Sequence, residues 1–168
     1  MSLSLYDASV PVFIRALENM GKFLEKGRAH AEANGMPLAE LLKAKLYEDM
    51  APLTSQIQRA SDAAKSAAAR LAGMQPPAMP DTENTFDELQ ARIAATVAFL
   101  RTIPADAMDG RETAQIELPT PNRTFTFTGT AFLFDFALGN FFFHVTTAYA
   151  LLRMKGVPVG KMDFLGGV

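Results

Sequence analysis

The chain has 168 residues, 49% of them hydrophobic and 20% charged, with a net charge of −2 and a pI near 5.7. Those proportions describe a single globular domain over 1–168, long enough to bury about two-thirds of its unfolded surface, and they exclude a disordered chain. Lys and Arg are scattered rather than gathered into the basic face that nucleic acid calls for, and the lack of cysteine excludes disulfides, thiolate metal ligands and a catalytic thiol.

From the N-terminus, Ser2 to Pro11 carries no basic run, and Asp7 interrupts its apolar positions, so no signal peptide is expected. Val10, Phe13, Ile14, Leu17, Met20 and Leu24 then recur at spacings of three and four, which predicts a first helix over 10–34 closed by Asn34–Gly35. A short amphipathic piece follows from Pro37 to Leu46. Met50, Leu53, Ile57, Ala60, Ala64, Ala67 and Leu71 predict a second long helix over 50–73, whose alanine-rich second half allows a neighbour to approach closely.

Met74 to Glu83 is a proline-rich connection that cannot continue a helix. Thr85 with Glu88 forms a capping-box signature, and Phe86, Leu89, Ile93, Val97 and Leu100 make a third stripe over 85–103, stopped by Pro104. From Arg111 to Thr128 the period falls to two, so QIEL and RTFTFT read as a β-hairpin. The fourth helix is predicted over 130–156, bent near Gly139–Asn140. Its longest apolar run, Ala131 to Phe143, contains Asp135 and is shorter than the ~20 residues that cross a bilayer. No membrane partner is expected, and a cytoplasmic location follows. The fold class is therefore all-α: a four-helix bundle with a short β-hairpin insert between the third and fourth helices.

The segments AHAEANG, DMAPLTSQIQRASDAAKSAAARLAG, TFDELQARI and NFFFHVTTAYALLRMKGVPVGKMDFLG together resemble a domain-of-unknown-function family grouped with the DinB/YfiT-like four-helix-bundle superfamily. The resemblance covers nearly the whole chain and implies a DinB-like bundle, often a homodimer. The wider superfamily includes metal-dependent thiol S-transferases and isomerases. Its metal site takes one histidine from the second helix and an H-x-x-x-H pair from the last. Aligned on Leu151–Leu152–Arg153, His144 takes the second place of that pair and Asn140 the first, while the second helix offers Gln56 or Asp49. The resemblance therefore implies a degenerate metal site, with no metal and no cofactor expected.

Six further considerations weigh the candidate residues. His144 and Asn140 share one helical face, and a buried imidazole there needs a hydrogen-bond partner. His30 is placed to cap the carbonyls ending the first helix, or to share a pocket with His144. Asp62 and Lys65 read as a surface i,i+3 ion pair, but Asp62 also interrupts a small-residue face and could turn toward His144 for acid–base work. Tyr149 could supply a hydroxyl from the rim. In the tail, Asp163 and Phe164 read as a docking pair, the Asp binding Arg153 or Lys161. The phenylalanines Phe132, Phe134, Phe136, Phe141, Phe142 and Phe143 read as core or dimer surface rather than a ligand box. Phosphate loops, Ser-His-Asp arrangements and H-E-x-x-H are missing. Three function classes compete: a structural or small-molecule-binding bundle, holding a small apolar or acidic ligand in its cleft; an S-transferase or isomerase using His144; and an oligomerisation module whose exposed aromatics pair two chains.

Overall fold

Four long helices form the bundle in the computed structural model, which describes residues 3–167; Met1, Ser2 and Val168 of the expected domain lie outside the described residues. They are α1 (Val10–Ala33), α3 (Leu53–Leu71), α4 (Phe86–Arg101) and α6 (Leu138–Met154), with the short α2 (Leu38–Leu42) between the first two. Around the bundle, α1 neighbours α4, α4 neighbours α3, α3 neighbours α6 and α6 closes on α1. Each predicted stripe faces this centre. Val10, Phe13, Leu17, Met20 and Leu24 of α1 are fully buried, as are Leu53, Ile57, Ala60, Ala64 and Leu71 of α3. Burying each large apolar side chain stabilises the fold by about 1.5–3 kcal/mol.

Helix ends follow local chemistry. The side chain of Asn34 donates to the His30 carbonyl at 2.8 Å, the Met36 N–H closes on the Ala31 carbonyl at 2.9 Å, and Gly35 takes the left-handed φ of 64°. The cap is thus Asn34, not the His30 ring, whose Nδ1 merely faces the Asn34 amide. The second long helix starts at Leu53 rather than at 50, because Pro52 keeps Ala51 out of helical geometry. Helix α2 ends at Leu42, short of the expected Leu46, and an irregular stretch over 43–52 leads to α3. At α4 the capping box forms in both directions, Glu88 N–H to Thr85 Oγ1 at 3.2 Å and Thr85 N–H to Glu88 Oε2 at 3.0 Å.

The hairpin pairs β1 (Gln115–Pro119) antiparallel with β2 (Thr124–Thr128), with Ile116 opposite Phe127 and Leu118 opposite Phe125. Those four form one apolar face turned toward the bundle, while Gln115, Glu117 and Thr126 face out. Arg111 ties the hairpin arm to the bundle by donating to the Leu71 carbonyl at the end of α3. A side chain at Gly129 would collide with the Arg111 carbonyl at 2.1 Å, so only glycine lets the hairpin pass into the last helix.

That last helix is continuous over 26 residues, Gly129–Met154, formed by α5 (Gly129–Ala131), a π-helical segment (Phe132–Ala137) and α6. Its irregularity lies in that π segment rather than at Gly139–Asn140. By length and apolar content the helix could cross a membrane, which corrects the estimate from the Ala131–Phe143 run alone. In the bundle its face of Phe141, Val145, Ala148, Leu151 and Leu152 is buried against neighbouring helices. After Gly156, at a φ of 84°, α7 (Lys161–Leu165) folds back on α1. Asp163 pairs there with Lys26, not with Arg153 or Lys161, and that bond holds its carboxyl below the usual range. Phe164 packs edge-on against Tyr149, as expected of a docking residue.

Candidate functional site

His144 sits one-third of the way along α6, only 9% exposed. Its Nδ1 lies 2.8 Å from Gln56 Oε1 on α3. The orientation of the Gln56 amide is fixed independently, because its Nε2 donates to the Ala51 carbonyl at 2.9 Å. Gln56 Oε1 can only accept, so Nδ1 carries the proton and the neutral ring presents the lone pair of Nε2. Burial, and then the charge of Arg59, push the imidazolium pKa below 6.5, favouring that neutral ring.

Beside the ring opens a cleft of about 270 Å³ between α3, the π segment with α6, and the hairpin. Phe132, Phe136, Asn140 and His144 run along one wall in steps of four. In an unbroken α-helix such a series drifts around the axis by about 40° per step. The wider π turn at Phe132–Ala137 offsets the drift and keeps these residues on one wall. Phe132 and Phe136 stack with centroids 5.9 Å apart, and Phe127 of the hairpin packs against both. The facing wall is α3, which contributes Arg59, Asp62, Ala63, Ser66 and Arg70, and Leu118 of β1 closes the hairpin side.

Four of the seven sequence-derived candidates meet here: His144 and Asn140 on α6, and Gln56 and Asp62 on α3. Three do not. Asp49 is exposed in the loop before α3, which starts too late to carry it. His30 lies beside Gly156, beyond the end of α6, about 18 Å of helix from His144, so the two histidines share no pocket. Tyr149 faces the other side of α6, where it contacts Phe23 and Phe164 and donates to the Val159 carbonyl. Asp62 reaches the cleft, but not as a base for His144: its Oδ1 accepts from Arg92 at 2.9 Å and from Lys65 at 2.7 Å. Lys65 is itself buried, so this pair is not the surface pair its spacing suggested.

Sequence reasoning passed over Arg59, Ser66, Arg70 and Leu118, and it set Phe132 and Phe136 aside as core or dimer surface. For α3 the signal was present, since Arg59, Asp62–Ala63, Ser66–Ala67 and Arg70 recur at three and four and share one face. Reading the phenylalanines as core holds for Phe132 and Phe141, which are buried, yet Phe132 and Phe136 also line the cleft. A wider groove of about 560 Å³ lies between α1 and α4. Its rim charges Glu18 and Arg101 pair with each other, and it contains no imidazole.

The three-histidine metal pattern does not fit these residues. His144 is the lone imidazole of the cleft and spends Nδ1 on an amide, and its neighbours Gln56 and Asn140 are themselves amides, weak ligands for a transition metal. Among the described residues, no group of three or more His, Asp or Glu side chains is placed to hold a metal ion.

A solved structure described as a DinB family member protein from Shewanella denitrificans is similar to this chain at 36% identity, covering 98% of this chain and 93% of that one, with a TM-score of 0.90. No curated protein matches. The family model described as Domain of unknown function (DUF1993) matches residues 5–165. The chain belongs to that family, and its fold is DinB-like.

Proposed function

We propose that the protein binds a small organic molecule in the cleft beside His144. The observation that carries this reading is the set of polar groups left open there. Among the described residues His144 Nε2 has no protein partner and neither Arg59 nor Arg70 pairs with a carboxylate. Around them lie Phe132, Phe136 and Leu118, the mixture of apolar walls and a few convergent polar groups typical of ligand sites. The π segment that shapes the wall is a further support, since such segments concentrate at functional sites. The test is the fluorescence of 8-anilinonaphthalene-1-sulfonate added to folded protein. An enhancement lost in Ala63→Phe, which fills the cleft, supports the reading; one unchanged in that variant defeats it.

The alternative is an enzyme of DinB type, an S-transferase or isomerase acting through His144. The Nε2 lone pair favours it, being placed to accept a proton from a bound ligand. Loss of a thiol-dependent turnover in His144→Gln, with binding retained, would separate catalysis from binding.

A second copy of the chain is the proposed partner. Phe143 on α6 is 55% exposed and borders a shallow groove formed with Leu46, Phe142 and Ala150, an apolar surface suited to a two-fold contact. Light scattering at tens of micromolar checks this: a dimer mass lost in Phe143→Glu is expected, and a monomer mass rejects it.

A further inference from the structure

The groups lining the cleft select among small molecules, and the selection rests on the binding reading above. Its charge balance is positive. Asp62, the carboxylate facing it, is neutralised by Arg92 and Lys65, whereas Arg59 and Arg70 reach it without an acidic partner among the described residues. Arg70 has only a 3.5 Å approach to the Ser66 carbonyl of its own helix. The two guanidinium groups stand three helical turns apart on one face of α3, about 16 Å between backbones, one toward the His144 end and the other toward the hairpin. A cationic ligand is therefore disfavoured, and an anion meets charge-assisted donors.

The imidazole adds a second requirement. The Gln56 bond, fixed in turn by Ala51, leaves His144 an acceptor rather than a donor toward the cleft. A bare carboxylate would place oxygen lone pairs against that nitrogen lone pair, which repels. A ligand hydroxyl would satisfy it. Between these polar groups Phe132, Phe136 and Leu118 give the cleft an apolar lining suited to an aromatic body.

From the Arg59–Arg70 pair, the fixed acceptor Nε2 of His144 and the phenylalanine wall, we infer that the cleft takes a hydroxylated aromatic carboxylate. Its carboxylate rests on a guanidinium and its hydroxyl donates to His144. Isothermal titration calorimetry on the full chain tests this with 4-hydroxyphenylacetate and mandelate, with their common parent phenylacetate, and with the cation tyramine. The expected result is that at least one hydroxy acid binds about tenfold or more tightly than phenylacetate, and that tyramine does not bind. Arg59→Gln or Arg70→Gln should weaken that acid by about tenfold, and His144→Phe should erase the preference for the hydroxyl.

Equal affinities for the hydroxy acids and phenylacetate would overturn the inference. So would tyramine binding as well as the acids, or both arginine variants binding normally. If the anilinonaphthalene probe occupies the cleft but none of the acids displaces it, the inference fails while the binding reading stands. If the probe itself is indifferent to Ala63→Phe, the binding reading fails and takes the inference with it.

Discussion

The arginine Arg92 of α4 and the arginines Arg59 and Arg70 of the neighbouring α3 are treated in opposite ways. Arg92 of α4 is 1% exposed, and its guanidinium meets Asp62, Asp81 and Glu83 as well as the carbonyls of Met79 and Pro80. Only its Nε is buried without a partner. Arg59 and Arg70 of α3 face the cleft with no acidic partner among the described residues. A guanidinium surrounded by protein acceptors holds the structure together; one left open at a concave apolar surface is available to something else. Arg92 clamps the proline-rich connection 74–85 onto α3 and α4, and through Asp62 it also removes the one carboxylate that would otherwise discourage an anion in the cleft.

The sharpest way to break this contrast is to remove Arg92. Glu83 feels the arrangement directly: burial raises its pKa, but hydrogen bonds from Gln58 and Arg92 outweigh that and hold it below 4.5. Arg92→Met would leave Glu83 largely buried without its cation, free Asp81, and leave Asp62 with Lys65 alone. Truncating one partner of a buried ionic cluster costs about 3–5 kcal/mol, and the partial exposure of Asp62 and Asp81 points to the lower figure, about 3 kcal/mol. Urea unfolding would measure it. A loss below about 0.5 kcal/mol would mean that this cluster, too, is incidental to stability.

His144 lies between the two extremes, with one nitrogen satisfied and one open. His144→Ala should cost about 1–3 kcal/mol, because the Gln56 carbonyl oxygen loses its donor and a partial cavity remains. Acidification probes the same residue without mutation. Its folded pKa is lowered from 6.5, by burial first and by Arg59 second, so the unfolded chain binds the proton more readily. Stability is then fully present above about pH 6.5 and falls as pH drops from there toward the folded pKa, by at most about 1.4 kcal/mol per pH unit. Glu83 and Asp163, with folded pKa values lowered from 4.5 and 3.8, lose their contribution only at more acid pH. The charged groups lining the cleft with His144 are Arg59, Asp62 and Arg70. Denaturation of wild type and His144→Gln between pH 7 and 5 should therefore show the acid-dependent loss in wild type alone.

The parts legible in the sequence were those that repeat. Helical stripes, the Thr85–Glu88 box and the alternation of RTFTFT all depend on local periodicity, and the structure carries them close to their expected bounds. The helix start at Leu53 could have been placed from Pro52, and with it the exclusion of Asp49. The role of Arg92 could not, because its acceptors come from three separate stretches that only the folded connection brings together. Nor did spacing show that Phe132, Phe136, Asn140 and His144 form one wall, since i+4 steps drift off a face unless a π turn corrects them. His144 stood out as a polar residue after three phenylalanines; its partner Gln56 was one of two candidates until Asp49 proved to precede the helix.

The smallest expected effect falls on the arginines of the cleft. Arg59→Gln and Arg70→Gln remove charges that, among the described residues, no carboxylate meets, so neither leaves a buried group uncompensated. Each should change stability by less than about 0.5 kcal/mol, the ordinary range for a substitution at an accessible site. Arg59→Gln should also let the His144 pKa rise toward 6.5, because one of the two causes that lower it is gone. The pH window over which stability declines then narrows, and nuclear magnetic resonance of the imidazole would follow that shift directly. A large loss of stability in either variant would show that the cleft arginines are structural after all, as Arg92 is. A small loss with a raised His144 pKa is what a site held open for a ligand requires: its charges tune one another without supporting the fold.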